Sequence, residues 1–126
     1  MSGQPDIRMY DAIIREVTDG IYEAYPELLD KYGESGKRKC IEDNEHHCRY
    51  LETSLALKDD KVFTDYALWL NNLLQQRGMS ADHVIDNFER IAAAAQGRMP
   101  EEKQIRVAEL LQSAIRSLRG DDQQSP

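Results

Sequence analysis

The chain has 126 residues, and its 23 Asp and Glu residues outnumber 16 Lys and Arg residues, giving a formal net charge of −7. This length fits one domain and excludes a barrel enzyme or a two-domain dinucleotide-binding enzyme. The acidic balance argues against nucleic-acid binding, and no apolar run approaches the about 20 residues of a membrane span. The first residues are polar and form no secretory signal, so we expect a cytoplasmic protein without membrane contact.

Helical periodicity runs through nearly the whole chain, with apolar residues recurring at i, i+3 and i+4. The predicted helices cover residues 6–25, 27–32, 35–57, 61–77, 80–95 and 100–118. The predicted N-caps are Asp6, Ser35, Asp59 or Asp60, and Ser80. The fold prediction is all-α: one domain, residues 1–120, forming a compact antiparallel bundle of four long helices plus one short helix. The polar segment 121–126 is expected to be a disordered tail.

The two cysteines lie on the same predicted helix. Cys40 and Cys48 are eight residues apart, which separates their Cα atoms by roughly 12 Å at 1.5 Å per residue. This exceeds the about 7 Å over which a disulfide can form. The pattern therefore indicates free thiols in a reducing compartment.

The most chemically loaded stretch begins at the first cysteine. Cys40, Asp43, Asn44 and His47 share the apolar side of the predicted helix. Asp43 and His47, at i and i+4, can address one metal ion with Cys40 nearby. The alternative is a core histidine whose ring nitrogens bond Asp43 and another helix, while Asn44 bonds the backbone. No Glu-x-x-His motif occurs, which excludes a conventional helix-bundle di-iron centre.

Three cations open this helix. Lys37, Arg38 and Lys39 lie near its N-terminus, where positive charge opposes the helix macrodipole. An acidic chain that keeps them there can use them to bind an anionic ligand or an acidic partner surface. The alternative is a solvated basic edge.

Aromatic residues are a further candidate group. Tyr50, on the histidine-containing helix, and Trp69, on the next helix, can line a ligand pocket between helices. The alternative is that such aromatic residues at helical spacing belong to the core.

A combination of short motifs runs through the middle of the chain. These are Lys31-Tyr32-Gly33-Glu34-x-Gly36, Cys40-x-Glu42-Asp43-Asn44-x-x-His47-x-x-Tyr50-Leu51, Phe63-x-x-Tyr66-x-x-Trp69-Leu70 and Arg77-Gly78-Met79. Over about residues 26–92 the combination resembles the helical bundle of bacterial sensor and regulatory proteins, often found beside a cobalamin-binding domain. The resemblance implies that Asp43, Asn44, His47 and Trp69 are family features. The chain has no Asp-x-His-x-x-Gly loop, so cobalamin binding is not implied.

The function predicted from these observations is a non-enzymatic bacterial sensor or interaction module that binds a protein partner or forms a homo-oligomer. The wide apolar girth of the 61–77 helix motivates it, because such a surface needs more than one neighbour. The alternative is a small-molecule or metal-binding bundle centred on Cys40, Asp43 and His47. No catalytic residues can be nominated, and no cofactor is required by the sequence.

Overall fold

The structure, a computed structural model, describes residues 5–78 and 80–120. A 3-10 turn, Arg8–Tyr10, leads into five α-helices. They are α1 (Asp11–Ala24), α2 (Glu27–Leu57), α3 (Asp60–Gln76), α4 (Ala81–Ala95) and α5 (Glu101–Arg119). The described residues contain no strand, so the all-α prediction is confirmed. The predicted tail, 121–126, and Met79 of the last resemblance motif lie outside the described residues.

The helices pack as a bundle around one apolar core. α1 lies against α2 and α4, while α5 lies against α3 and α4. The largest fully buried apolar side chains come from all five helices and include Ile13, Leu51, Phe63, Phe88 and Leu111. Burying one such side chain contributes about 1.5–3 kcal/mol. The predicted apolar stripes therefore become the core.

Gly33 interrupts α2. Its backbone lies at φ 65° and ψ −162°, a conformation that only glycine adopts readily. The predicted short helix, 27–32, therefore ends at Gly33, and a second helical segment continues directly to Leu57. The described residues contain five α-helices, the total predicted, and the segment 27–32 shares α2 with the segment 35–57.

Side chains cap two of the helices as predicted. Asp59 accepts a hydrogen bond from the backbone nitrogen of Lys61 at 3.0 Å, and Ser80 accepts one from that of Asp82 at 3.1 Å. The first helix begins later than predicted. Asp6 binds the backbone nitrogen and the guanidinium of Arg8, which holds a 3-10 turn before α1.

The apolar girth of α3 is covered in part, by α2, α4 and α5. Phe63 and Ala67 are fully buried, whereas Trp69 is 59% exposed. Among the described residues, none of the helices combines the length and the apolar character that a membrane crossing needs.

Candidate functional site

Cys40 is the half-buried thiol of the second segment of α2, and it is free. The amide nitrogen of Asn44 lies 3.8 Å from its Sγ atom. Thr18 of α1 is 1% exposed, and its hydroxyl has no hydrogen-bond partner of good geometry among the described residues. Burial raises the pKa of the Cys40 thiol, while the adjacent Thr18 hydroxyl lowers it, the Asp43 charge raises it and the Asn44 amide lowers it. The Asn44 amide is therefore a hydrogen-bond donor within reach of the thiol.

Asn44 joins α2 to α4 through a pair of amides. Its nitrogen donates to the side-chain oxygen of Asn87 at 3.1 Å, and the nitrogen of Asn87 donates to its oxygen at 2.6 Å. Asn44 also donates to the backbone oxygen of Cys40 at 3.0 Å. Asn44 is fully buried, and protein groups satisfy its hydrogen-bonding capacity. Its side chain is therefore held in a fixed position next to Cys40.

His47 is buried between α2, α3 and α4. Its Nδ1 atom lies 2.7 Å from the hydroxyl of Tyr66, and its ring meets Phe88 edge-on with centroids 5.2 Å apart. Burial, together with a smaller effect of the neighbouring His46, lowers the pKa of His47 to about 3. This is the environment of a neutral core histidine, although its partner is Tyr66 rather than Asp43.

The three residues of the metal hypothesis do not converge. Asp43 is half-exposed and pairs with Lys39 across 3.4 Å, whereas His47 is 5% exposed and bonded to Tyr66. In residues 5–78 and 80–120, no group of three or more His, Cys, Asp or Glu side chains is arranged to hold a metal ion. Helical spacing puts Cys40, Asp43 and His47 on one side of α2, but burial of the histidine separates it from the other two.

The basic segment, Lys37 to Lys39, borders a groove between α1 and α2. The Lys37 ammonium lies 6.0 Å from the centre of the Tyr22 ring, Arg38 is exposed, and Lys39 pairs with Asp43. The groove has a volume of about 410 Å³. Residues that border it include Arg15, Thr18, Asp19, Lys37, Ile41 and Glu45. Thr18, whose buried hydroxyl has no hydrogen-bond partner among the described residues, thus belongs to the lining of this groove.

An aromatic surface, formed by Tyr50, Tyr66 and Trp69, lies on the other side of α2. The Tyr50 and Tyr66 rings stack with centroids 4.0 Å apart, and Trp69 follows 6.2 Å from Tyr66. Tyr50 is 41% and Trp69 59% exposed, so this surface is not core. Burial raises the pKa of Tyr66, and the negative charge of Asp43 also raises it.

Thr18, Tyr66 and Asn87 were not among the candidates from the sequence. Thr18 interrupts the apolar stripe of α1 between Val17 and Ile21, and Asn87 interrupts that of α4 beside Phe88. A polar residue at a core position of a helix is a signal available from the sequence alone. Its partner, however, lies on another helix and cannot be read from the spacing.

A second polar cluster joins α2 to α5. Glu52 accepts a hydrogen bond from the Tyr10 hydroxyl at 2.9 Å and forms an ion pair with the Lys103 ammonium at 2.6 Å. It borders a groove of about 430 Å³ together with Arg106, which pairs with Asp60. Because these charges are matched within the fold, the cluster is best explained as a link between helices.

Comparison with known proteins identifies the family. A family model described as "Phycobilisome protein" matches residues 8–118, whereas no curated protein and no solved structure gives a significant match. The match overturns the resemblance to cobalamin-associated sensor bundles, and the predicted sensor or interaction module is wrong. The alternative, a bundle centred on Cys40, Asp43 and His47, gains no support from the match, and His47 is buried away from the other two. The chain belongs to the phycobilisome protein family.

Proposed function

We propose that this chain is a bilin-binding, light-harvesting subunit in which Cys40 is the attachment point. The observation that carries the proposal is the family match over residues 8–118, which includes all of α1 to α4 and nearly all of α5. A bilin is a linear tetrapyrrole, so it offers a polarised carbon–carbon double bond, ring N–H groups, propionate carboxylates and a long π surface. The residues around Cys40 supply a chemical complement to each of these groups.

Cys40 and Asp43 supply the first two complements. A half-buried thiol is accessible for addition to the double bond, whereas the other cysteine, Cys48, is fully buried. Asp43 lies one helical turn further along, half-exposed, and its charge acts on Cys40. A carboxylate in this position can accept hydrogen bonds from the N–H groups of the inner pyrrole rings.

Cations and aromatic rings supply the other two. Lys37 and Lys39 lie within one turn of Cys40 and can pair with propionate carboxylates near the protein surface. The aromatic surface offers the exposed faces of Tyr50 and Trp69 to the tetrapyrrole. Residue 50 is ten positions after Cys40 on the same helix, about 15 Å along its axis at 1.5 Å per residue. An elongated ligand attached at Cys40 can therefore extend past Asp43 to these rings.

Attachment is tested by expressing the chain in cells that also synthesise phycocyanobilin. We expect the purified protein to gain the full mass of the bilin, to absorb visible light, and to keep zinc-dependent fluorescence after denaturation. Cys40→Ala should abolish all three signals, and Cys48→Ala, the matched control, should retain them. A wild-type protein that carries neither adduct nor visible absorption would contradict the proposal.

Substitution of two carboxylates on α2 tests on which side of the helix the ligand lies. Asp43 lies on α2 at i+3 from Cys40 and acts electrostatically on Tyr66, whereas Glu45 borders the groove against α1. We expect Asp43→Asn to shift the visible absorption of the bound bilin and Glu45→Gln to leave it unchanged. The reverse result would move the ligand into the α1–α2 groove.

Self-association is the second part of the proposal, since phycobilisome proteins assemble into oligomers. The contiguous exposure of Tyr50 and Trp69 favours the aromatic surface as a contact between copies or between ligand and neighbour. We expect Trp69→Ser to lower the sedimentation coefficient at concentrations where the wild type associates. Tyr32→Ser, which removes another exposed ring, serves as the control. A strictly monomeric wild-type protein would contradict this part.

A further inference from the structure

We infer that His47 is a positioning residue that fixes the ring of Tyr66 and, through it, a preformed aromatic platform for the conjugated rings of the tetrapyrrole. The inference rests on the proposed function for its ligand. It goes further by giving a task to a buried histidine that the proposed attachment does not use. His47 acts through Tyr66 and has no contact of its own with the ligand.

A hydrogen bond joins α2 to α3 beneath the aromatic surface. Nδ1 of His47 lies 2.7 Å from the hydroxyl of Tyr66, and the two residues are only 5% and 7% exposed. The imidazole is neutral at pH 7, since burial lowers the pKa of His47 to about 3. A neutral imidazole has one donor and one acceptor nitrogen, so the bond forms in either tautomer. The bond therefore fixes the hydroxyl end of the Tyr66 ring.

Neighbouring rings hold the rest of Tyr66. Tyr50, three residues after His47 on α2, stacks on the Tyr66 ring with centroids 4.0 Å apart and planes 10° apart. Phe63, three residues before Tyr66 on α3, packs against the same ring with centroids 5.9 Å apart. The imidazole is itself held, because its ring meets Phe88 of α4 edge-on. One residue of α2 thus bonds the hydroxyl of Tyr66 while another covers the face of its ring.

The buried ring supports two exposed ones. Tyr50 is 41% and Trp69 59% exposed, and the Trp69 ring lies 6.2 Å from that of Tyr66 at an angle of 30°. Ordering an exposed side chain when a ligand binds costs conformational entropy. Rings that are already held by a supporting residue avoid this cost and present one fixed geometry. We therefore expect His47 to determine how rigidly the ligand is held, and not whether the ligand is attached at Cys40.

The first test measures the stack in the protein without a bilin. Protons that lie over the face of an aromatic ring are shifted upfield in NMR spectra, so the ring protons of Tyr50 report its stacking on Tyr66. We expect Tyr66→Phe, which removes only the hydroxyl, to lose most of this shift, and His47→Leu to do the same. His47→Asn should keep the shift, because its amide takes the place of Nδ1 and can bond the hydroxyl. Tyr10→Phe is the matched control, since it removes another buried hydroxyl, bonded to Glu52, and should also keep the shift.

The second test uses the protein that carries phycocyanobilin. A linear tetrapyrrole that is free to twist loses its excitation without emitting light, so its fluorescence lifetime reports how rigidly it is held. We expect Tyr66→Phe and His47→Leu to gain the same bilin mass per chain as the wild type and to show a shorter fluorescence lifetime. His47→Asn and Tyr10→Phe should keep the wild-type lifetime.

Four results would overturn the inference: an unchanged Tyr50 shift in Tyr66→Phe, an equal loss in Tyr10→Phe, a loss in His47→Asn as large as in His47→Leu, or an unchanged bilin lifetime in a variant that has lost the stack. If His47→Leu does not fold, Tyr66→Phe tests the same bond from the other side. The two tests separate this inference from the proposed attachment. Loss of the stack in Tyr66→Phe, combined with a wild-type protein that gains no bilin, supports the positioning role of His47 and contradicts attachment alone.

Discussion

The two cysteines of α2 lie on one helix, eight residues apart, in opposite environments. Cys40 is half-buried, lies 3.8 Å from the Asn44 amide nitrogen, and has the half-exposed carboxylate of Asp43 one turn away. Cys48 is fully buried, and burial followed by the charge of Glu52 raises the pKa of its thiol to about 12. One helix can therefore carry an accessible cysteine and an inaccessible one, because the residues packed against the helix change along its length.

The largest expected effect is the difference in alkylation rate between the two cysteines in the native protein. Cys40 should react with iodoacetamide directly, whereas Cys48 should react only after local opening of the bundle. An opening free energy of about 4 kcal/mol corresponds to about a 1,000-fold slower rate for Cys48. Quantitative peptide mass spectrometry measures both rates in one sample. In 8 M urea the two should react alike, and similar rates in the native protein would remove the contrast.

The pH dependence of stability tests the burial of His47 in α2. Its pKa in the fold is about 3, against 6.5 for the ordinary side chain, so folding requires the neutral ring. This contribution is fully present above pH 6.5 and is lost progressively as the pH falls toward 3, because the unfolded chain binds the proton. At pH 4.5 the loss is about 3 kcal/mol, at 1.36 kcal/mol for each of roughly two pH units. Urea unfolding at pH 7 and 4.5 measures it.

The histidine pair provides the control for that measurement. His47→Gln should remove this part of the pH dependence, whereas the exposed His46→Gln should keep it. A pH dependence that is the same in both variants would show that other groups cause it.

Replacing each thiol by a hydroxyl compares the two environments by stability. Cys48→Ser places a hydroxyl in the core and should lower the free energy of unfolding by about 2 kcal/mol. Cys40→Ser, at the half-buried position, should cost about 0.5 kcal/mol or less. Chemical unfolding monitored by circular dichroism gives both values. Equal costs would mean that Cys40 is packed as tightly as Cys48.

The amide pair behind Cys40 should have the smallest effect. Asn87→Ala removes the donor and acceptor that Asn44 uses on α4, and we expect a loss of about 1 kcal/mol in the free energy of unfolding. The exposed Asn72→Ala is the matched control and should be nearly neutral. Thermal unfolding of the two variants distinguishes them. A neutral Asn87→Ala would mean that water replaces the lost partner.

Helix positions were largely available from the sequence. The 3.6-residue periodicity and the caps at Asp59 and Ser80 predict α3 and α4 closely, because both signals are local. The start of α1 was missed because Asp6 binds Arg8 and holds a 3-10 turn. The predicted short helix is not a separate element, because the chain continues helically across Gly33 within α2.

Only part of the candidate site could be predicted from the sequence. Cys40 and Asp43 were identified because chemistry-bearing residues at helical spacing must share a side. Whether His47 joins them depends on how deeply that side is buried, and Tyr66 decides this from α3. The resemblance to sensor bundles failed for a related reason: short motifs on an amphipathic helix are shared by many helical proteins, and the match over residues 8–118 weighs the whole chain.

Three properties follow from local patterns in the sequence: the all-α fold, the bounds of most helices, and a separation of Cys40 and Cys48 too large for a disulfide. These properties depend on residues a few positions apart, whose geometry within a helix is fixed. Packing between helices is what pairs Asn44 with Asn87, bonds His47 to Tyr66 and seals Cys48 in the core. These contacts join residues on different helices, and their distances exist only once the apolar faces have packed together.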